Sequence, residues 1–121
     1  MARNIVKILD KDFSDMKAGQ RMYISSPEEV AAYIDAIPHG QTRTSHQMRA
    51  ALAKRAGADV TCPVSTGIFL RLAIENVLGI FSLKDVPLPF WRLIDDKHPV
   101  VKKLGLLPKD IADMRVAETT S

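Results

Sequence analysis

The chain has 121 residues, of which 46% are hydrophobic and 26% charged, proportions typical of one folded domain with a single core. No segment approaches the roughly 18 consecutive apolar residues of a membrane span, so we expect no membrane partner. The only cysteine, Cys62, excludes an internal disulfide and a CxxC metal or redox pair. We therefore expect one soluble domain over residues 1–121, without a metal or a cofactor.

The formal charge of +3 is unevenly distributed, because residues 41–121 carry a net +4. Within residues 41–71 five basic side chains face a single acid, Asp59. This asymmetry indicates either a surface for a polyanion or an ordinary solvated face. The short apolar run at residues 5–9 lacks the length of a secretory signal, so we expect a cytoplasmic location.

The first 40 residues predict two short strands and a helix. Residues 5–9 and 21–25 are compatible with β-structure. Ser26 and Glu29, on either side of Pro27, match a capping box at a helix start. The apolar residues of this helix recur at three- and four-residue spacing, until Pro38 ends it. They are Val30, Tyr33, Ile34 and Ile37.

A second and a third helix are predicted to follow closely. Thr44 or Ser45 can cap the second, which runs to about residue 56 before Gly57. Its predicted inward residues are Met48, Ala51, Leu52 and Ala56, and its outward residues are Arg49, Lys54 and Arg55. The third begins near Pro63 and ends at Gly79. Its predicted inward residues are Val64, Ile68, Leu72 and Val77.

The remaining chain predicts a β-element and a short last helix. Pro87, Pro89 and Pro99 argue against a helix across residues 80–101, whereas residues 90–94, FWRLI, favour a strand. Pro108 can begin a helix whose apolar edge would be Ile111, Met114 and Val116. Three helices followed by an aromatic β-element indicate a mainly α domain with small β-content, of the winged helix-turn-helix type, whose third helix would enter a major groove of DNA.

Two sequence blocks resemble the alkylguanine-DNA alkyltransferases and the non-catalytic alkyltransferase-like proteins. Residues 37–44, IPHGQTRT, are similar to the family pattern Ile-Pro-x-Gly-x-Val-x-Thr. Residues 89–94, PFWRLI, look like its active-site segment, Pro-Cys-His-Arg-Val-Ile. The blocks occur in the family's order, and the resemblance covers residues 26–117. It implies the same winged domain, a DNA partner and a link to alkylation damage.

The departures from the family pattern concern its chemistry. Phe90 stands where the enzymes carry the alkyl-accepting cysteine, and Trp91 where they carry the activating histidine. This site therefore cannot accept an alkyl group. Ser45 replaces the family's tyrosine, and Val64 its arginine finger, both of which help to extrude a base. Base extrusion is therefore not expected.

The sequence thus predicts a non-enzymatic protein that binds duplex DNA. The residues predicted to contact DNA are Arg43, Thr44, Ser45, Arg49, Arg55, Val64, Ser65, Thr66 and Arg71. Phe90, Trp91 and Arg92 would line a base pocket or belong to the core, and Arg92 would contact phosphate or pair with Asp95 or Asp96. One alternative is a diverged alkyltransferase using Cys62. Another is a helix-turn-helix transcription or protein-interaction module with an unknown protein partner.

Overall fold

The computed structural model describes residues 5–12 and 16–120 and is mainly helical with a small sheet, as predicted. Its elements, in chain order, are strands β1 (Ile5–Ile8) and β2 (Arg21–Ile24), helices α1 (Pro27–Asp35) and α2 (Ser45–Ala56), strand β3 (Val60–Thr61), helix α3 (Pro63–Leu78), a 3₁₀ helix (Phe90–Arg92), and helices α4 (Pro99–Lys103) and α5 (Pro108–Thr120). None of the helices described has the length and apolar character needed to cross a membrane.

The sheet has the order β1-β2-β3. β1 and β2, both predicted, pair antiparallel with Ile5 opposite Ile24. β3 was not predicted, because two residues are too few to produce an alternating pattern. It pairs parallel to β2, with Thr61 opposite Tyr23. Since β3 leads directly into α3, the sheet fixes where that helix begins.

Helix α1 forms as predicted. The Ser26 hydroxyl accepts the Glu29 backbone N–H at 3.2 Å, and Val30 and Ile34 are fully buried. The Glu29 carboxylate, however, accepts a hydrogen bond from the Tyr23 hydroxyl. The carboxylate that the sequence assigned to a capping box therefore ties α1 to the sheet.

Helix α2 begins with a complete capping box. Thr44 Oγ1 accepts the Gln47 N–H at 3.1 Å, and the Gln47 side chain accepts the Thr44 N–H at 2.8 Å. Met48 and Leu52 are buried, as predicted. Arg49, predicted to point outward, is only partly exposed, because its Nε donates to the Thr61 carbonyl at 3.1 Å.

The predicted inward face of α3 is wrong for three of its four residues, whereas Val77 packs against the core as predicted. Val64 and Ile68 are 56% and 55% exposed, and Leu72 is also exposed, whereas Leu70 and Ile74 are buried where α3 packs against α1. The helix carries apolar residues around most of its circumference, so its spacing alone supports more than one buried stripe. Packing against α1 buries the stripe that contains Leu70 and Ile74.

The predicted strand at residues 90–94 is also wrong. Phe90–Arg92 is a 3₁₀ helix, and the sheet is built instead from β1, β2 and β3. Pro99 begins α4 rather than excluding a helix, because the first helical position needs no backbone N–H. In α5, Ile111 is buried as expected, but Val116 is 58% exposed.

Candidate nucleic-acid interface

Two adjoining cavities open where α2, α3, α4 and α5 approach one another. One, of about 310 Å³, lies between the starts of α2 and α3 and helix α4. The other, of about 360 Å³, lies beside the start of α2 and reaches Arg115 of α5. Both are lined by Ser45 and His98, and together we call them the cationic groove. Its charged and imidazole lining consists of Arg43, His46, Arg49, Asp95, His98, Lys103 and Arg115.

The electrostatic balance of this groove is strongly positive. Four Lys and Arg side chains line it, against the single carboxylate of Asp95. The N-terminus of α2 adds a partial positive charge. Neither α2 nor α3 carries an acidic residue in its first turn, whereas α1 has Glu28 and Glu29 there and α5 has Asp110. Among the helices that begin at the groove, α2 and α3 therefore carry no acidic side chain of their own at their positive ends.

Two arginines are held in place by backbone carbonyls. Arg115 Nε donates to the Trp91 carbonyl at 2.6 Å. Arg43 donates through one Nη to the Thr42 carbonyl at 2.9 Å and through the other to Gln41 Oε1 at 3.0 Å. Each guanidinium has five N–H donors, so these bonds orient the group and leave further donors for an anion.

A serine–histidine pair lies between the two cavities, with Ser45 Oγ 3.0 Å from His98 Nε2. His98 Nδ1 accepts a hydrogen bond from the Val100 N–H at 3.1 Å. The neutral ring therefore carries its proton on Nε2, and this N–H donates a hydrogen bond to Ser45 Oγ. Burial lowers the pKa of His98, and the Asp95 carboxylate opposes this effect. The imidazole therefore positions α4 against α2 and does not deprotonate the serine.

The other residues predicted to contact DNA are distributed unevenly. Thr44 and Ser45 border the groove. Arg49 also lines the groove, and its Nε is hydrogen-bonded to a backbone carbonyl of β3. Val64 and Arg71 are exposed on α3, with Arg71 Nε 3.0 Å from the Glu75 carboxylate. Ser65 is partly exposed and Thr66 is buried. Arg55 is exposed at the far end of α2, about 15 Å along the helix from Ser45.

The sequence did not single out Arg115, Lys103 or His98 as binding residues. His98 caps α4, and Lys103 and Arg115 belong to α4 and α5, far along the chain from α2, so no spacing motif connects them. The only signal that includes Arg115 and Lys103 is the excess of basic residues after position 40. Their convergence follows from the way α4 and α5 dock.

The two aromatic side chains of the 3₁₀ segment have different surroundings. Phe90 is fully buried in the hydrophobic core, where its ring contacts Trp91 edge to face at 5.6 Å between centroids. Trp91 lines a separate cavity of about 530 Å³, together with Lys84 and the carboxylates of Asp110 and Asp113. Phe90 therefore belongs to the core, and Trp91 lines a cavity that is separate from the cationic groove.

Arg92 has a structural role and pairs with neither Asp95 nor Asp96. Its guanidinium contacts the Glu118 carboxylate, with Nη2 at 2.8 Å, and donates through Nη1 to the Ile37 carbonyl at 2.7 Å. The hydrogen bonds from Arg92 hold the pKa of Glu118 below its ordinary value. This cluster joins α5, the 3₁₀ helix and the end of α1.

Cys62 caps α3, and its Sγ accepts hydrogen bonds from the Ser65 N–H and hydroxyl at 3.5 and 3.3 Å. The thiol is buried, with 7% exposure.

Among the residues that the structure describes, no three His, Cys, Asp or Glu side chains gather as metal ligands. The chain is matched by no protein-family model, by no curated protein and by no solved structure.

Proposed function

We propose that this protein binds duplex DNA, holding its phosphate backbone in the cationic groove with α2 and α3 acting as a helix-turn-helix pair. One observation carries the proposal. Four Lys and Arg side chains from different elements converge on the N-terminus of α2, with Asp95 the one carboxylate in the lining. Helix N-termini and arginines are the groups that commonly hold phosphate in DNA-binding proteins.

The resemblance to alkyltransferase-like proteins supports binding without alkyl transfer. Phe90 and Trp91 stand at the positions of the acceptor and its base, and Phe90 is buried in the core. An extruded base would need an open pocket beside residue 90, which a fully buried ring does not provide. The proposal is therefore binding to intact duplex, without a catalytic residue.

The salt dependence of DNA affinity tests this proposal. Each neutralised phosphate contributes a log-log slope of about −0.9, so engagement of Arg43, Arg49, Lys103 and Arg115 predicts a slope of about −3 to −4. The measurement is fluorescence anisotropy with a labelled 20-base-pair duplex between about 50 and 200 mM salt. The double variant Arg43→Gln and Lys103→Gln should flatten the slope by about 2.

The matched control is Lys84→Gln with Lys109→Gln. It removes the same net charge, but neither residue lines the groove. Its slope should equal that of the wild-type protein. If both double variants flatten the slope equally, only the net charge matters and the groove is not the site. Failure of the wild-type protein to bind at about 50 mM salt would overturn DNA binding altogether.

A further inference from the structure

Helix α3 presents an apolar stripe to solvent beside the cationic groove. Val64 and Ile68 are both more than half exposed, and Leu72 continues the stripe one turn further. Gly67 lies between them on the same exposed face and has open space around its Cα. Valine and isoleucine side chains exposed at the start of a helix need a physical reason, because they leave apolar surface in water.

The polar side chains of the same turns are engaged within the protein. The Thr66 hydroxyl donates to the Cys62 carbonyl at 2.6 Å, and the Ser65 hydroxyl donates to Cys62 Sγ. One turn further, Arg71 Nε is bonded to Glu75 at 3.0 Å. The most exposed surface of the first two turns, formed by Val64, Gly67 and Ile68, is therefore apolar.

The position of this stripe relative to the groove identifies its partner. Pro63, Thr66 and Gly67 line the groove, so phosphates held there would place the next residues of the helix against the same duplex. The major groove of B-DNA admits an α-helix, and the 5-methyl group of thymine is its apolar feature. The charge of the groove thus selects DNA as the occupant of the adjoining apolar face.

We propose that Val64 and Ile68 recognise 5-methylpyrimidines in the major groove, so that the protein prefers duplexes rich in thymine. This inference rests on the proposed DNA binding and adds a base preference to it. Burying one methyl group against an apolar side chain is expected to strengthen binding about fourfold. The preference would need no hydrogen bond to a base edge.

Replacement of thymine by uracil tests the inference, because it removes the methyl group and keeps the Watson–Crick pairing. The probes are a 20-base-pair alternating A·T duplex and the same duplex with uracil, compared by anisotropy at one salt concentration. We expect the uracil duplex to bind about fourfold more weakly for each contacted methyl group. Ile68→Ser should reduce that ratio, while Ile80→Ser, at an exposed apolar position beyond the end of α3 and outside the stripe, should leave it unchanged.

Each result has a distinct meaning. Equal, salt-dependent affinity for both duplexes would overturn methyl recognition and leave the proposed DNA binding intact. Absence of binding to both at about 50 mM salt would overturn the DNA-binding proposal itself. A third result would be equal affinity for both duplexes together with self-association, measured by sedimentation, that grows with protein concentration and is abolished by Ile68→Ser. This result would assign the stripe to contacts between copies of this protein and overturn the inference.

Discussion

The Phe90–Arg92 segment and the start of α2 both contain arginines in sequence blocks that resemble one family, yet the fold treats them differently. Arg92 is largely buried and bonded to Glu118 and to a backbone carbonyl. Arg43 lies at an open cavity, where its guanidinium is oriented by neutral oxygens. The availability of an arginine for phosphate thus depends on the carboxylates that tertiary packing brings to it.

The largest expected effect is on stability, from truncation of the core aromatic residue. Phe90→Ala should lower the free energy of unfolding by about 3 to 5 kcal/mol, because it leaves a cavity at a fully buried position. Denaturant unfolding measures this loss. Under conditions where the variant remains folded, its DNA affinity should equal that of the wild-type protein, and a selective loss of affinity would restore a binding role to this segment.

The two faces of α3 provide a matched pair of the same residue type. Ile74 is fully buried and Ile68 is 55% exposed. Ile74→Ala should cost about 2 to 5 kcal/mol, whereas Ile68→Ala should change stability by less than about 1 kcal/mol. Thermal or denaturant unfolding of both variants separates them. Comparable losses would mean that α3 is rotated relative to the orientation described.

A smaller effect is expected from Glu118→Gln, which leaves the Arg92 guanidinium without its charged partner. The loss should be about 1 to 3 kcal/mol at neutral pH. Arg92 lowers the pKa of Glu118. The contribution of the ionised carboxylate to the free energy of unfolding is therefore present at pH values above the ordinary pKa of 4.5, and it is lost as the pH falls through the lowered pKa. The difference between wild type and variant should therefore shrink with acidification.

Denaturant unfolding at several pH values between about 3 and 7 provides the measurement. Glu28→Gln, at an exposed position in the first turn of α1, serves as the control and should show a much smaller difference. A Glu118→Gln difference that does not change with pH would mean that the contact with Arg92 does not depend on the charge of the carboxylate.

The part of the fold that sequence could predict is the part governed by local geometry. The caps at Ser26 and Thr44 and the buried stripe of α1 follow from contacts within a few residues of the chain. Residues 90–94 could not be assigned in this way, because their aromatic composition suits both a strand and a buried 3₁₀ turn. For the candidate site, sequence indicated Arg43, Thr44 and Ser45, which directly precede or begin α2.

The amino-acid sequence by itself determined the starts of α1, α2, α3 and α5, the mainly helical class and the excess of basic residues in the second part of the chain. Only tertiary structure decided which apolar face of α3 is buried, because packing against α1 chooses between stripes of similar hydrophobicity. It also brought Lys103 and Arg115 to the start of α2 and Glu118 to Arg92. Charges act through space over a few ångströms, so their partners depend on chain folding and cannot be read from spacing along the sequence.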